Sequence, residues 1–154
     1  MYYTTNHDPE YYNAHCSMVN CASYAMNIKE WWDPEIEEDY GSIYEWVDAM
    51  EDCGYTLTEM QDIIAEEYID AFLNDFPSVR ALDKSTDIQP DEELIAFRIC
   101  LDLDDDIDFD FHFRVFRDGK WSEKNGNGLV HDCSMAYWGK YNSKTFYFGH
   151  KVKI

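Results

Sequence analysis

The chain has 154 residues with 32 acidic against 12 basic side chains, which gives a formal net charge of −20. Hydrophobic residues make up 45% of the sequence and aromatic residues 17%, which excludes an intrinsically disordered chain. A surface this acidic repels phosphate backbones and anionic lipids, so it excludes direct binding of nucleic acid or membrane and favours a basic protein partner or high solubility. The length indicates a single domain.

The five cysteines indicate a reducing compartment. They form an odd set without a CxxC pair, which argues against a disulfide framework and against a zinc ribbon. The N-terminal segment has neither a basic n-region nor an apolar h-region, so no signal peptide is predicted. No apolar run reaches the length of a membrane span. We therefore expect a cytoplasmic protein, in the cell that makes it or in a host cell that receives it.

The first predicted helix starts at a cysteine. Residues 1–19 are polar and tyrosine-rich and predict an irregular N-terminal arm. Asn20 is a favoured N-cap, and good helix formers follow it, so a helix is predicted from Cys21 to Trp31, ending before Pro34. Free backbone N–H groups and the positive end of the helix dipole favour a thiolate at such a position. The alternative is that Cys21 is a small apolar core residue, as most free cysteines are.

Two more helices are predicted before the strands. Apolar spacing indicates a short helix over Ser42–Cys53, with Gly54 as its C-cap. Thr56 and Glu59 form a capping box, which opens a longer helix that Pro77 closes. The inner stripe of this longer helix is predicted to be Met60, Ile63, Ile64, Tyr68, Ala71 and Phe72.

After Asp91 the pattern changes from helices to strands. Glu93–Leu101 is an apolar run suited to a buried strand, residues 107–117 alternate strictly, and residues 145–154 form a final aromatic strand. Because helices come first and strands follow, without a linker or repeat, the predicted fold class is α+β. The N-terminal helices should pack on a C-terminal antiparallel sheet within one domain, residues 1–154.

The alternating segment carries a candidate catalytic histidine. Asp118-Gly119 predicts a two-residue hairpin turn after residues 107–117. Direct pairing across this turn places His112 opposite Asn125, with Glu123 diagonal on the same face. A catalytic imidazole needs one nitrogen that reaches a thiol and a polar group that holds the other nitrogen, and this hairpin can supply the polar group. The alternative is a surface histidine on a solvated face.

Three segments of the chain resemble a known group of proteins. The sequence NCASYAMN resembles the NCYSYAL-type nucleophile segment of a group of small bacterial and phage proteins. The sequence DFHFRVFRDGKWSEKNG resembles their Y-H-[FW]-Y-R-x(n)-DG-x-W-S-H-K-x-G segment, and YNSKTFYFGHKV resembles their closing tyrosine-rich strand. These proteins look like papain-fold cysteine hydrolases, akin to the NlpC group of cell-wall amidases. The region 32–92 has no counterpart in this resemblance.

The resemblance implies a papain-like, NlpC-type fold and acyl transfer at a peptide or isopeptide bond of a peptide or protein substrate. It makes Cys21 the nucleophile and His112 the base. The third residue stays open between Asn125, the first choice, and Glu123, the second, which stands where relatives tend to have histidine. Cys16 is a rival nucleophile, although no helix start follows it.

A second function class fits the charge better than catalysis does. A small acidic protein of phage type could inhibit a host defence protein by occupying its basic nucleic-acid-binding groove, without any enzymatic activity. We expect no cofactor and no metal under either interpretation. The aspartates between residues 102 and 110 lack the glycine and terminal glutamate of an EF-hand loop, and His131-Asp132-Cys133 has no second pair at ligand spacing.

Overall fold

The computed structural model describes residues 2–36, 43–104 and 107–152. Within these ranges, helices precede one six-stranded antiparallel open sheet, so the predicted α+β class is confirmed. The helices are α1 (Pro9–Ala14), α2 (Cys21–Met26), α3 (Ile43–Asp52) and α4 (Leu57–Asp75). The strands are β1 (Val79–Leu82), β2 (Glu92–Asp102), β3 (Asp108–Arg117), β4 (Lys120–Lys124), β5 (Val130–Asp132) and β6 (Phe146–Lys151). They lie in the order β1-β6-β2-β3-β4-β5.

Helix α2 begins where the sequence predicts but is shorter. The Asn20 side chain accepts a hydrogen bond from the Ser23 N–H, and the Ser23 hydroxyl accepts one from the Asn20 N–H. The prediction that this helix reaches Trp31 is wrong, because α2 ends at Met26. The next residue, Asn27, takes the left-handed conformation with φ of 56°. Asparagine tolerates this conformation, and it stops the helix.

The N-terminal arm, residues 1–19, was predicted to be irregular, but it contains the helix α1. Pro9 opens α1, where its fixed φ and missing N–H cost nothing. Tyr12 of this helix is buried, and its hydroxyl donates a hydrogen bond to the carbonyl oxygen of Ile28. This contact ties the arm to the segment that follows α2.

Helices α3 and α4 follow the predicted pattern. Gly54 has a φ of 87°, as expected of a residue that ends a helix, and the capping box of Thr56 and Glu59 is confirmed. Ser42, the predicted start of the first of these helices, lies outside the described residues. The buried face of α4 consists of Met60, Gln61, Ile64, Ala65, Tyr68 and Phe72, with Ile63 and Ala71 half-buried beside it.

The sheet is built around the predicted hairpin. Asp118 and Gly119 both have positive φ, 55° and 78°, as a tight hairpin turn of two residues requires. Arg117 pairs with Lys120, so the predicted register across the turn is confirmed. Strands β2, β3 and β6 match the three predicted strands, although residues 153–154 lie outside the described part. The short strands β1 and β5, at the two edges of the sheet, are not predicted from the sequence.

The apolar face of β3 carries the main core against the helices. Phe113 packs on Phe72 of α4 and Phe97 of β2, with ring centroids 4.7 and 4.6 Å apart. Trp32 meets Phe113 edge-on at 5.7 Å and is fully buried. None of the helices in the described ranges is long and apolar enough to cross a bilayer.

Candidate active site

The candidate site lies where the start of α2 contacts β3. Cys21 is the first residue of α2, and its sulfur accepts a hydrogen bond from the backbone N–H of Phe113, the residue after His112. The backbone N–H groups of Cys21 and Ala22 also interact with the sulfur. The cysteine proposed as nucleophile is therefore packed against the strand that carries the proposed base.

Burial controls the charge state of the cysteine. The Cys21 side chain belongs to a residue only 5% exposed, and burial raises the pKa of its thiol to about 12. The N–H of Phe113 acts in the opposite direction, and the carboxylate of Asp110 adds to the rise. The helix start was expected to lower this pKa, but desolvation of the thiolate outweighs the few N–H groups of the first turn. The resting thiol is therefore protonated.

His112 is buried rather than placed on a solvated face. The residue is 1% exposed because the segment 133–145, between β5 and β6, covers it. The ring of Tyr141 stacks on the imidazole at 4.9 Å, and Trp138 meets it edge-on at 6.2 Å. The imidazole is thus held in one position by packing on one side and by its hydrogen bond to Glu123 of β4 on another.

Glu123 connects three charged or titratable groups. One carboxylate oxygen accepts hydrogen bonds from His112 Nε2 at 2.6 Å and from Arg114 Nε at 2.8 Å, and the other lies 2.8 Å from His131 Nε2. Burial alone would raise the pKa of Glu123, but the hydrogen bonds from His112 and Arg114 lower it to about 2. The ionised carboxylate holds a proton on His112 Nε2, so Nδ1 is left as the basic nitrogen.

The two candidates for the third residue are placed differently. Glu123 bonds His112 directly, whereas Asn125 is exposed in a turn closed by a hydrogen bond from the Gly128 N–H to its carbonyl oxygen. The hydrogen bonds of the described residues include none between Asn125 and His112. The pairing of β4 with β3 ends at Ser122, so Asn125 is not paired with His112 across the hairpin.

The thiol contacts the backbone of the strand that carries the imidazole, at the residue after His112. Among the hydrogen bonds of the described residues, none links the Cys21 sulfur to the His112 ring. Catalytic hydrogen bonds are often long in ligand-free enzymes and shorten when substrate binds. The contact between the Cys21 sulfur and the Phe113 N–H keeps the thiol beside the strand that carries His112.

Several residues of the site are not identified from the sequence. Arg114 lies 4.2 Å over the Trp138 ring and donates hydrogen bonds to the carbonyl oxygens of Ser134 and Tyr137, so it fastens the 133–145 segment over His112. Its position two residues after His112, on the same face of an alternating strand, is a signal that could have identified it. His131 carries no comparable signal. Tyr141, which stacks on His112, lies in a segment without periodicity.

A cavity of about 540 Å³ adjoins this cluster. Glu123, His131, Tyr137 and Tyr141 are among the residues that line it. Its position beside the Glu123 carboxylate gives small molecules access to one side of the cluster. In the part of the chain that the structure describes, no group of three or more histidine, cysteine, aspartate or glutamate side chains could hold a metal ion.

Comparison of the chain with protein-family models, with curated proteins and with solved structures finds no match. The chemistry of the cluster is therefore inferred from its own residues. The site contains a buried thiol at a helix start, which contacts the backbone of β3 at Phe113. On the same strand, the imidazole of His112 is held through Nε2 by the carboxylate of Glu123.

Proposed function

We propose that the protein is a papain-like, NlpC-type cysteine hydrolase that cleaves amide bonds of a peptide or protein by acyl transfer. Cys21 is the nucleophile, His112 is the base, and Glu123 orients the imidazole. The observation that carries this proposal is the 2.6 Å hydrogen bond from His112 Nε2 to the buried carboxylate of Glu123. His112 lies on β3, the strand against which Cys21 packs. This bond leaves His112 Nδ1 to take the proton of the thiol.

The reaction follows from these roles. His112 Nδ1 removes the thiol proton, and the Cys21 sulfur attacks the carbonyl carbon of the substrate amide. The N–H groups of Cys21 and Ala22, at the start of α2, stabilise the oxyanion of the tetrahedral intermediate. The imidazolium returns its proton to the leaving amine, which departs and leaves a thioester on Cys21. Water, deprotonated by His112, then hydrolyses this thioester.

We place this reaction in a reducing cytoplasm, of the producing cell or of a host cell. All five cysteines are free, and Cys53 is exposed, a state that a reducing compartment maintains. The proposed mechanism also needs a free thiol at Cys21. The order of the parts along the chain, a nucleophile at a helix start followed by a histidine on a strand, supports the papain-like assignment.

Covalent labelling of Cys21 by an electrophilic peptide probe tests the proposed function. A mixture of peptidyl acyloxymethyl ketones should alkylate Cys21 selectively, because the probe carbonyl binds where the scissile carbonyl binds and His112 activates the thiol. The modified residue is identified by peptide mass spectrometry. The variant His112→Gln should lose this labelling and keep that of the exposed Cys53. Labelling of Cys21 that does not depend on His112 would contradict the proposal.

A second function, an acidic binding protein such as an inhibitor of a basic nucleic-acid-binding host protein, is supported by the surface of α3 and α4. These helices and the turn between them contain no lysine or arginine. Their exposed acidic residues are Glu45, Asp48, Glu51, Asp52, Glu59, Glu66 and Asp70. Such a surface attracts a basic groove and repels nucleic acid.

Salt dependence separates the second function from the first. A basic partner captured from cell lysate at 0.1 M salt should be lost at 1 M, because the Debye length falls from ~10 Å to ~3 Å. Changing Glu45, Asp48, Glu51 and Asp52 to their amides should weaken capture, whereas Cys21→Ala should not. Capture that is insensitive to salt and to these four changes would contradict the binding function.

A further inference from the structure

Lys124 is a buried cation next to the candidate nucleophile. Its residue is 0% exposed, and it follows Glu123 at the end of β4. Its ammonium donates hydrogen bonds to the carbonyl oxygens of Cys16 and Val19, each at 2.5 Å, and to that of Gly126. Three carbonyl oxygens match the three N–H donors of an ammonium, whereas a neutral amine has only two. The contacts therefore favour the charged form.

In the part of the chain that the structure describes, no carboxylate forms an ion pair with Lys124, although acidic residues greatly outnumber basic ones in the chain. Burying an ammonium without a carboxylate partner is costly, and the three hydrogen bonds to carbonyl oxygens offset part of that cost. The carbonyl groups of Cys16 and Val19 belong to the segment that leads into α2, so the ammonium fixes the approach of the chain to Cys21.

The charge of Lys124 also acts on the Cys21 sulfur. Burial lowers the pKa of Lys124, and the Cys16 and Cys21 sulfurs act in the opposite direction, so the ammonium lies within electrostatic reach of both sulfurs. The other charged or titratable groups around the sulfur are Asp110 of β3, which raises the pKa of Cys21, and Tyr141 of the covering segment. Lys124 is thus a positive charge among groups that otherwise disfavour a thiolate.

We propose that Lys124 is a positioning residue for Cys21, which fixes the segment before α2 and stabilises the thiolate that forms when the site reacts. This inference rests on the proposed function for its purpose, but the charge effect exists whether or not the protein hydrolyses anything. The N–H groups at the start of α2 are not sufficient to ionise the buried thiol, and the charge of Lys124 adds to their effect. This role also explains why a cation without a carboxylate is retained at the end of β4.

The pH dependence of Cys21 alkylation tests this inference. Iodoacetamide labelling of each cysteine is followed by peptide mass spectrometry from pH 6 to 10, in the full chain and in Lys124→Gln. Glutamine keeps N–H donors but removes the charge, so a smaller fraction of Cys21 is thiolate at each pH, and the rate of its alkylation at pH 8 should fall about tenfold. Lys120→Gln, which changes an exposed lysine on the same strand, is the matched control and should leave this rate unchanged.

A purely structural role predicts the opposite sign. If Lys124 only held the segment before α2 in place, its loss would expose the sulfur, and Cys21 would be labelled faster at every pH. That result, or no change at all, would overturn the inference. If the variant fails to fold, labelling of the unaltered chain up to pH 11 decides. The logarithm of the Cys21 rate should rise with pH and level off where the ¹³Cε resonance of Lys124 titrates, because the thiolate then loses its positive neighbour. A rise that continues with unchanged slope through that pH would overturn the inference.

The outcome stays separate from the test of catalysis. Alkylation by iodoacetamide and the NMR titration need no substrate and no turnover. A slower alkylation of Cys21 in Lys124→Gln together with no labelling by peptidyl ketone probes would support the inference and contradict the hydrolase. Labelling by the ketone probes together with an unchanged rate of iodoacetamide alkylation would do the reverse.

Discussion

Replacing Cys21 with alanine is expected to abolish hydrolysis of peptidyl aminomethylcoumarin substrates, lowering the rate by about 10⁴-fold or more. The reason is that the covalent route disappears entirely when the sulfur is removed, and only substrate binding and oxyanion stabilisation remain. The measurement is the release of aminomethylcoumarin from a mixture of such peptides at matched protein concentrations. His112→Gln should lower the rate by a similar factor, since a thiol with its pKa near 12 depends on a base for its ionisation.

Cys16 provides the matched control for this experiment. It is the other cysteine near α2, and it is half-buried, so Cys16→Ala removes a sulfur from the same neighbourhood without touching the start of α2. This variant should keep its activity. Retained activity in Cys21→Ala, or equal losses in the two variants, would show that the sulfur of Cys21 is not the nucleophile. Thermal unfolding of both variants should confirm that each remains folded.

The hairpin shows how far local pattern carries a prediction. Strict alternation over residues 107–117 and the Asp118-Gly119 turn determine which side chains share a face and which residues are opposite. They correctly place His112 and Glu123 on the same face of the sheet. Both signals are short-range, so they remain valid inside the folded protein. The helix α1 and the edge strands depend instead on contacts between distant segments, and the sequence does not reveal them.

The choice between Asn125 and Glu123 depends on tertiary structure. Extending the hairpin register puts Asn125 opposite His112, but the pairing of β4 with β3 ends at Ser122, before Asn125 is reached. The longer side chain of Glu123 then reaches the imidazole diagonally. The strand β5, which pairs with β4, has only three residues and no alternating pattern from which it could be predicted. A register argument confined to two strands therefore cannot anticipate where they separate.

The charge state of Cys21 illustrates a different limit. Sequence position indicates that a residue begins a helix, but it does not say how much of the sulfur is covered. In this protein the covering is nearly complete, and desolvation reverses the expected direction of the pKa shift. The segment 133–145 brings Tyr141 within electrostatic reach of the sulfur, and its location over His112 depends on Arg114, whose contacts join residues far apart in the sequence. Burial of this kind becomes visible only in three dimensions.

Changing Glu123 to glutamine is expected to lower the free energy of unfolding by about 3–5 kcal/mol, because it leaves the buried Arg114 guanidinium without an ionised partner. Arg114 and Glu123 are each 5% exposed, so water cannot replace the lost carboxylate. Urea denaturation at pH 7 measures the change. Asp132→Asn makes the same carboxylate-to-amide change in an exposed pair with Lys120, and it should cost less than about 1 kcal/mol. Equal losses of unfolding free energy in the two variants would contradict the claim that burial makes the Glu123–Arg114 pair more stabilising than the exposed pair.

The pH dependence of the difference in unfolding free energy between the unaltered chain and Glu123→Gln shows whether the charge of Glu123 is responsible. The pKa of Glu123 in the folded protein, about 2, lies below its ordinary value of 4.5. The stabilisation from the ionised carboxylate is therefore complete above about pH 4.5 and is lost as the pH falls towards 2. The difference in unfolding free energy between the unaltered chain and Glu123→Gln should stay constant from pH 7 to about 5 and then narrow below it. A difference that remained unchanged down to pH 3 would mean that Glu123 acts through packing and not through its charge, and the same carboxylate could not then be what holds the proton on His112 Nε2.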